Sequence, residues 1–322
     1  MERLQIVGIG LSTLDVLIRL GDMPSWEQGG RMREIRLDGG GEVGTAIVTA
    51  ARLGARVGFV GTAGNDEVAD LKMRFLTKEN VDVSRVVIRP IPENQIILCF
   101  VHKETGERVF CDTGCMFEQQ LAVNELDRDY VTSAEFLLIE GFHHEAALQA
   151  ALWMHEAGKK VMLDAGRADG VVYDSVKDLV RQTDILICSS GFSSALTGIH
   201  DIWEAGRAIL QMGPTIIVET EGAKGCYTVT STDRFFTPSY RVAVVDTTGA
   251  GDVFHGAYLV GLLHAWDLRT VASFACAVSA IKCTRLGGRF GIPNFEEVLD
   301  FLNIQGISAR LEFEKEGGLT CP

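Results

Sequence analysis

Residues 244–263, VVDTTGAGDVFHGAYLVGLL, place a carboxylate where an anion would be held. Apolar side chains at Val253, Phe254, Ala257, Tyr258 and Leu262 recur at helical spacing, so the helix begins at Gly249, Ala250 and Gly251. The first amides of a helix have no partner within it. Three small residues let an anion approach them, and the aligned peptide dipoles favour negative charge there. Asp252 repels such an anion. Its placement makes chemical sense if it takes a proton from a hydroxyl about to attack a phosphate. An acidic residue that merely favours a helix N-terminus is the plainer alternative, but it has no need of a preceding Gly-Ala-Gly.

Two further segments carry groups suited to a polyhydroxylated ligand. In DGGGEVGTAIVTAARLG, residues 38–54, Gly39, Gly40 and Gly41 permit close backbone approach ahead of a helix with a small-residue face. By itself this loop is equally a tight turn before a packed helix. Near the N-terminus, IVGIGLSTLDVLIRL reads as a buried strand ending at residues 8–10, then an extended segment bearing Asp15, whose carboxylate can accept two hydroxyls.

The elements that must position these groups follow from alternating patterns. Short apolar runs at 57–62, 136–139, 161–164, 185–188 and 216–219 are interleaved with amphipathic helices at 66–78, 144–157 and 202–211. This βα alternation predicts a mostly parallel sheet covered on both faces. Ligands in such sheets bind beyond the carboxyl ends of the strands. Gly10, Glu140, Asp164, Thr220 and Gly249 each follow a predicted strand and are expected at one crevice. Segments 15–20 and 32–37 and a hairpin at 95–101 and 108–112 are extended without crossover helices, which predicts a separate small β-sheet. Ile96, Leu98 and Phe100 alternate along it and leave one face apolar.

With 322 residues and 47% hydrophobic content, the chain suits one large α/β domain with a small appendage. No apolar run reaches the roughly 18 residues of a bilayer span, and residues 1–10 lack a signal peptide's basic start, so a cytoplasmic protein with no membrane partner is expected. Eight scattered cysteines show no CxxC pair, and no neighbouring ligands complete a metal set around Cys111 and Cys115. A formal net charge of −13 argues against a nucleic-acid partner, because phosphate backbones require a basic face.

The motif DTTGAGD followed by FHGA resembles the signature of the ribokinase-like, or PfkB, carbohydrate kinases, and the likeness extends over nearly the whole chain. It implies a three-layer α/β/α sandwich over residues 1–310, a small β-sheet lid from segments 12–38 and 94–113, and a loose tail at 311–322. By the same resemblance Asp252 is the catalytic base, and the amides of Gly249, Ala250 and Gly251 form the anion hole. Asp15, Gly40, Gly41 and Thr45 bind the sugar. Thr220, Gly222, Gly225, Gly251 and Cys276 meet ATP, with Lys224 adding charge. Glu140 stands near Mg²⁺, and Asp246 and Thr248, with carbonyls of segment 284–288, hold a potassium ion. Two departures stand out. Thr45 occupies the family's usual Asn position, and in CSSGFSSALTG the family's NxxE is replaced, Ser189 standing for Asn and Phe192 for Glu.

The expected activity is therefore ATP-dependent phosphorylation of a small carbohydrate. A nucleoside kinase would need an aromatic clamp, for which Phe100, Phe110 and Phe117 are the candidates. The C-terminal third is similar in wording to the sulfofructose kinase and ketohexokinase branches of the family. A sulfonated or phosphorylated sugar would need cations, for which Arg31, Arg33, His102 and Arg108 are available. A sugar sensor without catalysis is the alternative of another class, and the intact GAGD speaks against it. Covering the apolar lid face predicts a homodimer through the lid sheet.

Overall fold

Strands buried on both faces need helices above and below, and the computed structural model, which describes residues 3–105, 107–166 and 170–306, has them. The large sheet contains β1 (Ile6–Ile9), β4 (Val57–Val60), β9 (Phe136–Ile139), β10 (Lys160–Asp164), β11 (Ile185–Ser189), β12 (Ile216–Thr220), β13 (Gly225–Thr230) and β14 (Arg234–Pro238). Its order is β14-β13-β12-β11-β10-β9-β1-β4, parallel from β4 to β12 and continued at one side by the antiparallel β13 and β14. The antiparallel β14 edge was not apparent from the sequence pattern.

Side-chain alternation divides this sheet between two cores. Ile6, Phe59, Leu138, Met162, Ile187 and Val218 pack with helices α1 (Glu42–Arg52), α2 (Glu67–Thr77), α8 (Ala250–Leu263), α9 (Leu268–Lys282) and α10 (Phe295–Ile304). Their neighbours Val7, Leu137, Ile139, Leu163, Leu186 and Ile217 pack on the other side, where α3 (Arg128–Ser133), α4 (His144–Glu156), α5 (Asp174–Arg181), α6 (Phe192–Thr197) and α7 (Ile202–Leu210) lie. The result is the three-layer sandwich that the βα alternation predicts.

The extended segments form a four-stranded sheet of their own, β3-β2-β7-β8, from β2 (Thr13–Leu20), β3 (Met32–Gly40), β7 (Ile96–His102) and β8 (Arg108–Cys111). A two-stranded ladder joins β5 (Thr62–Ala63) to β6 (Val87–Ile88). In the small sheet Asp15 stands opposite Asp38 and Ile97, so these side chains share one face. The expectation for the tail at 311–322 lies outside the described residues. Among the described residues no helix is long and apolar enough to cross a membrane.

Candidate active site

The turn that opens α8 is built around Gly249, whose φ of 72° lies in the left-handed region that side chains disfavour. A Cβ added there would lie 3.4 Å from Gly288. Asp252 follows in the first helical turn. Of the three amides expected to form the anion hole, that of Ala250 is spent within the turn, donating to the Thr247 carbonyl at 3.2 Å. Gly249 and Gly251 keep amides without a backbone acceptor among the described residues. The strand predicted before Gly249 does not form. Val244 and Val245 are more than half exposed, and the segment is instead tied to the end of α9 by the Val245 and Asp246 amides donating to the Cys283 carbonyl.

Asp15 reaches the same cavity from β2, with only 7% of its surface exposed. It accepts a hydrogen bond from the Thr13 hydroxyl at 2.5 Å. Withdrawal from water pushes its carboxyl up to about 6, against the opposing pull of Thr13 and Arg289. The glycines of the 38–44 loop have a steric purpose that the sequence did not disclose. A Cβ on Gly40 would sit 2.2 Å from the Asp15 carboxylate, and Cβ atoms on Gly39 and Gly44 would lie 2.3 and 2.4 Å from the Arg289 guanidinium. Arg289 is 2% exposed, and its guanidinium donates to Ser12, to the Gly40 carbonyl and to Thr45. Asp38 accepts the Arg289 and Phe290 amides, at 3.0 Å each. The 38–44 loop is thus moulded on a buried cation. Thr45, in the Asn position, accepts from Arg289 and keeps its own hydroxyl proton to donate.

A cluster of carboxyl groups faces Asp252. Glu140, at the end of β9, accepts the Leu11 amide and is raised well above its ordinary value by burial and by the nearby Glu42 charge. Glu42 opens into the cleft from the first turn of α1, and it is raised by its withdrawal from bulk water and by Asp164. Asp252 is raised well above its ordinary value by burial and by Glu42 and Asp164, with Lys282 and Arg289 pulling the other way. Asp164 is fixed by the Gly166 amide at 2.9 Å and lies 3.4 Å from His255, whose other ring nitrogen meets the Gly251 carbonyl. Carboxyls crowded in this way suit a hard divalent cation brought in on phosphates. Among the described residues no three acidic, histidine or cysteine side chains are placed to chelate one unaided.

The residues expected to meet the nucleotide, Thr220, Gly222, Gly225 and Cys276, do not line this cavity. Thr220 ends β12 beside β11 and donates to the Cys188 carbonyl, while Gly222 and Gly225 frame the short turn into β13. Lys224 pairs with Glu221 at 3.2 Å on the surface. Cys276 is 4% exposed in the α9 core, within hydrogen-bonding reach of Cys226. Phe192, in the family's Glu position, is buried in the core. The carboxylate of Glu219 comes from β12 and accepts the Gly191 and Ser193 amides instead.

Asp246 and Thr248, expected to hold potassium, are already engaged. Asp246 accepts from the Thr248 amide and hydroxyl (2.9 and 2.7 Å) and the Gly287 amide (2.9 Å), with Arg108 Nη1 at 3.4 Å. Arg108 also donates to Thr248 and Thr247.

One cavity of about 620 Å³ brings together Asp15, Gly40, Gly41, Thr45, Glu140, Thr248, Gly249 and Asp252. Glu42 and Asp164 line it as well, and Phe110, Phe117 and Phe142 form an aromatic wall. Phe100 does not line it. Arg31 and Arg33 lie in a separate hollow beside the small sheet, and His102 is turned to Thr105.

This geometry meets a matching comparison: the sequence profile of the pfkB family carbohydrate kinases matches residues 5–294. The chain belongs to that family. The kinase is 29% identical to the 2-dehydro-3-deoxygluconokinase of Bacillus subtilis (strain 168), over 79% of its own length and 83% of the relative's. It is 25% identical to the ribokinase of Haemophilus influenzae, covering 82% and 87%. Its fold superposes on that of the ribokinase of Arabidopsis thaliana solved with ribose and ATP, with a TM-score of 0.81 at 22% identity, over 94% and 99% of the two chains. It is thus a phosphotransferase that carries a phosphoryl group from ATP to a sugar hydroxyl. Sequence reading had not assigned Glu42, Arg289 or Lys282 a role. The Glu that directly follows three glycines was the available signal for the first. The cations in KCTRLGGR gave no sign that both would be buried.

Proposed function

We propose that this kinase phosphorylates a primary hydroxyl of an uncharged sugar in the cytoplasm, with Asp252 as general base. The observation that carries the reading is a carboxylate at the N-terminus of α8, facing the same cavity as a hydroxyl-binding carboxylate, Asp15. Asp15 and the 40–45 loop orient the sugar. Asp252 draws the proton from the attacking oxygen, and the Gly249 and Gly251 amides face the charge that grows on the phosphoryl oxygens. Mg²⁺, when bound with the nucleotide, neutralises phosphate charge, and Glu42, Glu140 and Asp164 are the residues whose crowded oxygens fit it. Potassium drops out of this reading, since the Asp246 carboxylate and the Thr248 hydroxyl already engage donors, a guanidinium among them.

The charge of the cavity supports an uncharged acceptor. Its described lining contains Asp15, Glu42, Asp112, Glu140, Asp164 and Asp252 and no Lys, Arg or His. A phosphate or sulfonate on the sugar would meet like charge. Ile97, Phe110 and Phe117 supply apolar surface for the C–H face of a sugar ring, and the two phenylalanines favour a nucleoside as the second reading. A coupled ADP-release screen tests this. Turnover is expected with neutral pentoses, hexoses, ketoses or nucleosides. A clear preference for phosphorylated or sulfonated sugars would contradict it. Failure of every acceptor would contradict the catalytic reading as well.

We also propose a homodimer through the outer face of the lid. Val16 stands opposite Leu37 and Leu98, and Ile18 opposite Ile35 and Phe100, so these apolar side chains share the face turned from Asp15. Ile35, Leu37, Leu98 and Val109 are 37–60% exposed. Ile35→Glu is expected to convert a dimer into a monomer in light scattering. A monomeric wild type would refute the proposal.

A further inference from the structure

The loop behind the anion hole carries two side-chain cations that the reaction scheme above does not use. Lys282 closes the last turn of α9 and is fully buried. Its ammonium donates to the Asp246 carbonyl at 3.0 Å. A buried ammonium needs countercharge, and the Asp246 and Asp252 carboxylates are the ones that reach it electrostatically. Arg108 approaches the same loop from β8, its Nη1 on the Thr248 hydroxyl at 2.7 Å and its Nη2 on the Thr247 hydroxyl at 2.8 Å.

An alkali cation binds oxygen atoms that have free lone pairs. Around Asp246 several of those atoms already serve donors. The Asp246 carboxylate accepts the Thr248 amide and hydroxyl, the Gly287 amide and Arg108. Its carbonyl accepts Lys282. The Cys283 carbonyl accepts two amides, and the Leu286 carbonyl accepts Arg36 at 3.4 Å. A potassium ion would compete with these donors and would lie close to an ammonium and a guanidinium, whose positive charges repel it. The residues present do not fit the ion that the family resemblance implied.

We infer that Lys282 and Arg108 act as a built-in replacement for a monovalent cation, fixing the 246–251 turn and supplying positive charge behind the anion hole. Both are positioning residues, acting through Asp246, Thr247 and Thr248. Lys282 is held in the core, so its charge cannot be diluted by changes in the ionic medium. Arg108 ties the turn to the lid sheet. The inference rests on the kinase reading, yet it is separable from it: turnover tests the reading, and the dependence of turnover on cation tests the inference.

The experiment compares kcat in potassium and in tetramethylammonium buffers of equal ionic strength, using an acceptor that passes the ADP-release screen. Wild type should give a ratio near one. Lys282→Met, which removes the ammonium and leaves an unbranched apolar chain, should lose activity in tetramethylammonium and recover it in potassium or ammonium, about fivefold or more. Arg108 is at the lid surface, so Arg108→Gln is a variant that does not perturb the core. It should show a smaller gain, about twofold, on adding potassium. A wild type activated more than about twofold by potassium would overturn the inference. So would a folded Lys282→Met whose ratio stays near one. If Lys282→Met fails to fold, the wild-type and Arg108→Gln ratios decide by the same criteria.

Discussion

Replacing Asp15 by Asn should make the free protein more stable while weakening sugar binding. Asp15 is 7% exposed, and burial pushes its carboxyl from the ordinary 3.8 up to about 6. A carboxyl raised in the folded state opposes folding once it is ionised, so its contribution is most favourable in acid and is lost as pH rises through about 6. The gap corresponds to about 3 kcal/mol at pH 8 and about half of that at pH 5. Asn is nearly isosteric and carries no charge. In a chain of this length its Tm at pH 8 should exceed that of wild type by roughly 3–6 °C, with a smaller difference at pH 5. The sugar KM should rise roughly ten- to a hundredfold through the loss of charge-assisted hydrogen bonds, and the ATP KM should not move. Thermal unfolding at the two pH values, paired with steady-state kinetics, checks both halves. An Asn variant less stable at pH 8 than wild type, or one with normal sugar KM, would refute the reasoning.

Three other outcomes follow from the same geometry. Gly39→Ala places a methyl 2.3 Å from a guanidinium held in place by Ser12, Gly40 and Thr45, so it should destabilise by about 1–3 kcal/mol, whereas Gly29→Ala, with nothing within 4 Å, should change thermal unfolding little. Glu42→Gln removes one of the crowded charges opposite Asp252, so half-saturation with Mg²⁺ should require about threefold more metal while the sugar KM is unchanged in a Mg²⁺ titration. Because Asp15 is proposed to bind sugar as the anion, kcat/KM for the sugar should fall below about pH 6 in a pH–rate profile, and a flat profile down to pH 5 would argue against its role.

The sequence made the scaffold legible because strand and helix periods are local. Buried runs such as FLLI at 136–139, followed by the helix at His144–Glu156, can be read without tertiary knowledge. The GAGD turn was legible for the same reason: Gly249, with its positive φ, and the first-turn carboxylate of Asp252 lie within four residues. What escaped reading depends on partners distant in the chain. Arg289 meets Ser12, Gly40 and Thr45 across about 240 or more positions, so the loop glycines read as freedom for a ligand when part of their purpose is space for a guanidinium. Lys282 reads as a solvated helix end, the usual place for a lysine. It is buried because the 246–251 turn folds over it. Likewise, the loss of Glu at Phe192 reads as a missing charge. Glu219, from a neighbouring strand, puts a carboxylate on the same helix N-terminus.

The most direct test of the central claim is the turnover of Asp252→Asn, with ATP affinity measured on the same preparation by calorimetry. Asp252 is proposed to act on the sugar hydroxyl proton, beyond the contacts that hold the nucleotide. The account therefore predicts a fall in kcat of roughly two to four powers of ten, with the ATP dissociation constant within about threefold of wild type. An Asn variant that kept more than about a tenth of wild-type kcat would contradict the assignment of Asp252 as the base.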